Sequence, residues 1–162
     1  MAVAYYLKLD GIEGECQATG YEDQIQLDSW SWGASNAGSF SHGTGGGTGK
    51  VTFHDMHFSK RYDKSSANLA KFCSSGKHLG SAEMACVKYE GDNPPMEYLK
   101  VTLTDVVIAS YQMGGSVGDS LPGDQFSVNF AQIQKTYKPQ GNTGDPAGNV
   151  DYGWNIQKQA PA

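Results

Sequence analysis

Gly49-Lys50, His54 with His57, Ser74 and Ser75 near His78, and Cys16, Cys73 and Cys86 are the places where residue types in this chain could do chemistry. The lysine closes the tract Ser39-Phe40-Ser41-His42-Gly43-Thr44-Gly45-Gly46-Gly47-Thr48-Gly49-Lys50. Its glycines could cradle a phosphate, act as a loose linker, or form an arm that gains order from a partner. As a phosphate loop the tract fails, because Thr44 rather than Gly stands five places before Gly49 and Val51 replaces the hydroxyl that would ligate Mg2+. The segment after Lys50 is patterned as a strand, whereas a phosphate cradle needs a helix N-terminus there. No Gly-x-Gly-x-x-Gly register fits either.

His54 and His57 are separated by two residues, a spacing that suits a shared metal on a helix but sends the two rings to opposite faces of a strand. Ser74, Ser75 and His78 lie across an expected helix end without a Gly-x-Ser-x-Gly elbow. Glu22-Asp23 reads as ordinary surface charge. The cysteines are odd in number and widely spaced, which fits neither a disulfide framework nor paired zinc ligands, and they read as reduced, mostly buried small hydrophobes. The expectation is a protein that is not an enzyme, with no metal and no cofactor.

The elements that must hold these residues are β-strands. At 162 residues the chain suits one domain with a single core, and its 21 glycines with 11% aromatics point to β structure rich in turns. The net charge of −5 leaves no basic surface for nucleic acid or an anionic membrane. The N-terminal residues lack the basic start and apolar run of a signal peptide, so synthesis in the cytoplasm and any export by a route without an N-terminal signal are expected.

Alternating apolar positions predict strands over 5–10, 25–33, 50–61, 84–89, 98–111, 126–137 and 152–156. One helix is predicted over about 65–75, with Ser65 or Ser66 as its cap and Gly76 as its stop. The long strands share a peculiarity: each changes which parity of position is apolar. Val101 and Leu103 give way to Val106 and Ile108, and Phe126, Val128 and Phe130 to Ile133. The segments from Ile25 to Trp32 and from Val51 to Phe58 do the same. Each switch means either a bulge or a strand that buries different faces at its two ends. Both fit a tightly curved small barrel, and the second also fits a subunit whose outer face is covered by a neighbour.

Trp30 and Trp32 alternate with Ser29 and Ser31, as a strand with one buried face requires. With Trp154 they are expected to fill the core, which leaves Ser29 and Ser31 on the opposite, exposed surface. An exposed sugar-binding platform on a β-sandwich is the alternative, and a hydrolase using Ser75 or His78 is a further one.

Several segments occur in a particular order: the glycine tract, Asp63-Lys64-Ser65-Ser66, Cys73-Ser74-Ser75-Gly76-Lys77-His78, Val128-Asn129-Phe130-Ala131 and Tyr152-Gly153-Trp154-Asn155. In that order they make the chain resemble the haemolysin-coregulated protein (Hcp) family, the tube subunit of the type VI secretion system. The resemblance runs from the first strand to Trp154. Family members often carry Pro after the paired serines, where this chain has Ala67, a residue tolerated at a first helical position.

The resemblance implies an all-β fold with one short α-helix, a small curved β-barrel similar to phage tail-tube proteins, in one tube-forming domain over 1–162. It implies homo-hexameric rings that stack into a hollow conduit inside a contractile sheath, tipped by a spike protein of the valine-glycine-repeat type. The lumen would hold and protect small effector proteins, and the tube would be secreted into the medium or a target cell. The extended loop 39–50, with Phe40, Ser41, His42, Gly43, Thr44, Gly45, Gly46, Gly47 and Thr48, matches the family's arm to a neighbouring subunit. Ser31 matches a lumen-facing serine that contacts effectors. The last residues, 158–162, are expected to form a flexible tail.

Overall fold

A computed structural model describes residues 2–38, 50–140 and 148–162. Along the chain run β1 (Ala2–Leu9), β2 (Ile25–Leu27), β3 (Ser29–Ser31), β4 (Ala34–Asn36), β5 (Val51–Phe53), β6 (Met56–Arg61), α1 (Ser65–Ser75), β7 (His78–Tyr89), β8 (Met96–Gly114), β9 (Gly123–Tyr137), β10 (Val150–Asn155) and β11 (Ala160–Pro161). Nine strands form one sheet in the order β11-β10-β9-β8-β7-β1-β2, with β6 attached to β9 and β3 to β6, while β4 and β5 make a two-stranded sheet of their own. All the pairings are antiparallel.

The long strands β8 and β9 belong to two half-sheets. The half around Leu99–Leu103 of β8 and Ile133–Tyr137 of β9 is flanked by β7, β1 and β2 on one side and by β10 on the other. The half around Val106–Gly114 of β8 and Gly123–Phe130 of β9 is flanked by β6 and then β3. Between the halves the parity of buried positions changes on three neighbouring strands at once. Buried Leu79 is followed by buried Ala82 on β7, Leu103 by Val106 on β8, and Phe130 by Ile133 on β9.

The residues skipped are Gly80-Ser81, Thr104-Asp105 and Ala131-Gln132, and Asp105 takes a left-handed φ of 55°. The pairs flanking Gly80, Asp105 and Ala131 are Leu79 with Val106, Ser81 with Thr104, and Thr104 with Gln132, so the irregularities are aligned across the sheet. The pairing keeps one register across this point, and the register shifts lie elsewhere, between Cys86 and Val87 where β7 meets β8 and between Ile108 and Ser110 where β8 meets β9. These strands therefore switch parity in register, at the aligned positions around the left-handed Asp105 rather than by an extra residue on one strand, and the buried side chains of both halves join one core. The expected strands over 25–33 and 50–61 are instead broken, at Asp28 and at His54-Asp55.

The folded sheet closes on a single cluster. It includes Leu7, Leu9, Ile25, Leu27, Met84, Cys86, Val101 and Leu103 from one half and Met56, Phe58, Val106, Ile108, Phe126 and Val128 from the other. The chain passes from one margin to the other through Asp28, whose N–H donates to Ser59 O at 2.8 Å. The result is mostly β with one helix and curled toward a barrel, though among the described residues no ladder joins β2 to β6. Behind β1 and β7 the loop 10–24 covers a second cluster of Tyr6, Cys16, Ala85 and Val87. That loop folds back so closely that a Cβ on Gly14 would lie 2.4 Å from Gln24 O.

The C-terminal residues expected to fray instead pair with β10, Ala160 opposite Asn155 and Pro161 opposite Trp154. The Ala162 N–H donates to Gly153 O at 3.2 Å, and the bare Cα of Gly153 leaves room for that approach.

Helix α1 spans the expected residues and stops at Gly76 with a φ of 66°. Its start differs from expectation: Lys64 is the cap residue and carries no side-chain capping bond, so neither Ser65 nor Ser66 is the cap itself. Asp63 takes over that role, its carboxylate accepting the Ser65 N–H at 2.9 Å, while Ser66 Oγ accepts the Asp63 N–H at 3.1 Å. This reciprocal bonding satisfies donors that a helix start leaves open.

The same serine and carboxylate receive a buried lysine. Lys60 Nζ donates to Ser66 Oγ at 2.8 Å and Asp63 Oδ1 at 3.0 Å. It also lies 3.0 Å from Asp124 Oδ1, an ion-pair distance at which the angle does not make a hydrogen bond. Tyr111 donates its hydroxyl to Asp124 Oδ2 at 2.9 Å. Burying either ion alone would cost several kcal/mol, so this cluster fixes β6, β8, β9 and the start of α1 relative to one another. Asp124→Ala leaves the Lys60 ammonium short of a partner in the interior, and urea unfolding is expected to show a loss of about 3–5 kcal/mol.

Candidate functional site

The convex side of the second half-sheet carries the site. Cross-strand register places side chains of one row on one face. One row runs Ser31, His57, Ser127, Ser110 across β3, β6, β9 and β8, and the next runs Ser29, Ser59, Gln125, Gln112. Seven of these eight residues line one open depression of about 550 Å³, with Trp30, Phe58, Tyr111 and Phe126 forming its floor. The strands place polar groups here because their alternate positions, Phe58, Phe126 and Val128, are taken by the core.

Ser29 and Ser59 hydroxyls bond to each other, and so do those of Ser110 and Ser127 at 2.6 Å. No Lys, Arg, Asp or Glu stands in either row. Charges occur only at the borders, where Arg61 lies 3.8 Å from Asp28 and Asp55 accepts a hydrogen bond from Asn129 Nδ2 at 2.8 Å. Both lateral edges of this patch are open among the described residues: β3 is paired only with β6, and β8 beyond Val107 only with β9.

Ser31 is exposed at the end of β3, the strand at one margin, on the side opposite Trp30, as its alternation with the tryptophans requires. The arm residues Phe40, Ser41, His42, Gly43, Thr44, Gly45, Gly46, Gly47 and Thr48 lie outside the described residues, though β4 and β5 on either side of them pair. His57 lies on β6, whereas His54 lies between β5 and β6 and donates its backbone N–H to Gly33 O at 3.0 Å. Ser74 donates its hydroxyl back to Ala70 O within the helix. Cys16 and Cys86 are buried and Cys73 is half-buried. Burial raises the Cys86 thiol to about 12, which removes it as a nucleophile.

The tryptophans do not build an exposed sugar platform. Trp30, Trp32 and Trp154 are half-buried and pack on the core. Trp32 stacks on Phe53 at 6.1 Å, Phe53 meets Trp154 at 6.3 Å, and Lys135 Nζ covers Trp32 and Tyr152. This packing anchors the β4-β5 pair to the body.

Residues 6–137 match the family described as "Type VI secretion system effector, Hcp". The chain belongs to the Hcp family. Its sequence is 41% identical to Protein hcp1 of Pseudomonas aeruginosa over the whole of both chains. Its fold is similar to that of a structure described as a type six secretion system protein, with a TM-score of 0.91 and 26% identity over 99% of this chain and 100% of the other. It is also similar to Hcp1 from Salmonella typhimurium, with a TM-score of 0.83 and 30% identity over the whole of both chains. This Hcp-family chain therefore belongs with a secretion apparatus rather than with any known enzyme family. No helix among its described residues is long and apolar enough to cross a membrane.

Alternation with the tryptophans predicts the exposed side of Ser31, but it does not join Ser31 to His57, Ser59, Ser110, Gln112, Gln125 and Ser127. The available signal was parity: these positions alternate with buried Phe58, Phe126 and Val128. Which rows they join depends on long-range register, and the shift at Ile108/Ser110 realigns β8 by one residue.

The floor of the face is titratable at one point. Burial first, and then the bond to Asp124, push the Tyr111 phenol from its ordinary 10.0 up to about 12. The raised value means the folded chain holds this proton where the unfolded chain loses it. The contribution is thus complete below pH ~10 and drains away as pH rises toward 12. In Tyr111→Phe the fall of unfolding free energy across that window is expected to be shallower than in the parent chain, measured by urea unfolding at successive pH values.

Proposed function

We propose that this chain is a ring-forming tube subunit of the type VI apparatus, and that the polar face lines the ring's lumen, where it holds small effector proteins. The observation that carries this reading is the pairing of an uncharged polar face with two open strand edges at its opposite margins. An unpaired edge is a template for another strand. With β3 on one side and the 108–114 stretch of β8 on the other, edge-to-edge contact is heterologous, so repetition makes a ring if the rotation closes. Six copies per ring and stacking of rings into a conduit extend the reading, in keeping with Hcp membership. The sheath, the valine-glycine-repeat spike and expulsion from the cell belong to the same proposal.

In this reading the arm from Phe40 to Thr48 reaches a neighbouring subunit, and Ser31 contacts effectors. A face of small neutral groups suits a conduit, since weak multiple contacts hold cargo and then release it. Negative-stain imaging and sedimentation of the purified chain are expected to give six-fold rings with an open centre, and compact monomers at high concentration would overturn the proposal. Deleting Ser41 to Thr48 is expected to weaken ring closure or stacking in the same assay. Ser31→Glu is expected to leave rings intact while abolishing effector retention in a pull-down.

A further inference from the structure

We infer that cargo selection lies on the two uncharged rows of the polar face, with His57 and Gln125 as its specificity-determining residues, and that the partner is a protein surface rich in uncharged hydrogen-bonding groups. The inference rests on the reading of this face as the lumen wall.

The rows supply a chemistry of a definite kind. Across four strands they present the exposed serines at 29, 31 and 110 and the half-buried Ser59 together with His57, Gln112 and Gln125, while Ser127 is buried in the row. Four of the serine hydroxyls are bonded to one another in two pairs, Ser29 with Ser59 and Ser110 with Ser127. Each paired hydroxyl has used part of its bonding capacity inside the sheet. His57, Gln112 and Gln125 are the long side chains of the patch, and all three are exposed. Gln112 stands on the outermost strand, whereas His57 and Gln125 stand on the two central strands, beside Ser31 and Ser59 respectively.

Each of these two groups can both donate and accept, so each can meet a backbone amide, a carboxamide or a hydroxyl on a partner. The fixed charges near the patch are at its borders: Arg61 faces Asp28, and Asp55 is held by Asn129. Lys60 and Asp124 are buried under it and paired. A partner that relied on charge would find nothing to meet in the two central rows. Repetition around a ring would multiply contacts that are individually weak.

The test uses the full chain and, as probe, a small effector protein identified because its level in the host falls when this chain is deleted. Binding of that effector to assembled rings is measured by sedimentation between 50 and 500 mM NaCl. Affinity is expected to change less than about twofold, because neutral hydrogen bonds are not screened as charges are. His57→Ala and Gln125→Ala are each expected to weaken binding roughly five- to tenfold while rings still form. Gln125→Lys, which puts a charge into the central row, is expected to make binding salt-dependent.

A tenfold or greater loss of affinity with salt in the parent chain would overturn the inference, as would unchanged binding in both alanine variants. If a variant fails to assemble, the salt titration of the parent chain decides. If rings form and no effector depends on them, the cargo reading itself falls and this inference with it.

Discussion

Everything in this molecule depends on the sheet being able to fold over itself without exposing its apolar side. A regular strand with alternating burial can cover only one flat surface. Gly80, Asp105 and Ala131 stand side by side at the point where β7, β8 and β9 change phase. The same three strands can then bury Ala82, Leu103 and Ile133 in one half and Leu79, Val106 and Phe130 in the other, all toward one core. Were only one strand to change phase, its neighbours would turn apolar side chains outward and lose burial worth ~25 cal/mol per Å². The alignment of the three irregularities is therefore the constraint that creates the core.

That fold has a direct functional consequence. In the first half-sheet the outer side of β1 and β7 is itself buried, under the loop that carries Cys16 and Tyr21. Tyr21 stacks on Tyr6 at 4.4 Å and donates its hydroxyl to Glu97 at 2.8 Å, which ties the loop down. In the second half-sheet the outer side is left open and polar, and the buried Lys60, Asp63 and Asp124 cluster holds its strands in place from beneath. One half of the sheet thus serves stability and the other presents a surface.

Much of this is legible in the residues alone. Alternation locates the long strands, the Gly76 stop and the serine pair locate the helix, and the parity switches announce the irregularities without any geometry. A serine between two tryptophans marks the exposed side of β3. Alternation does not reveal which strands sit beside one another. The rows of the polar face join residues from 29 to 127, and the two halves share β8 and β9, so the face exists only through long-range register.

The start of the helix departs from expectation for a local reason: Asp63, rather than a serine, has the reach to bond both a first-turn amide and Lys60. The C-terminal residues resemble a loose tail because the residues beside Pro161 carry no strand pattern, yet Gly153 leaves space for them against β10.

The central claim is that the open edges of the polar half-sheet meet in neighbouring copies and turn its uncharged rows inward. A cryo-electron microscopy reconstruction of the purified, assembled chain tests it most directly. The predicted result is β3 of one copy beside residues 108–114 of the next, with Ser31, His57 and Gln125 facing the open centre. Rings in which that face points outward, or in which the two edges remain unpaired, would contradict it.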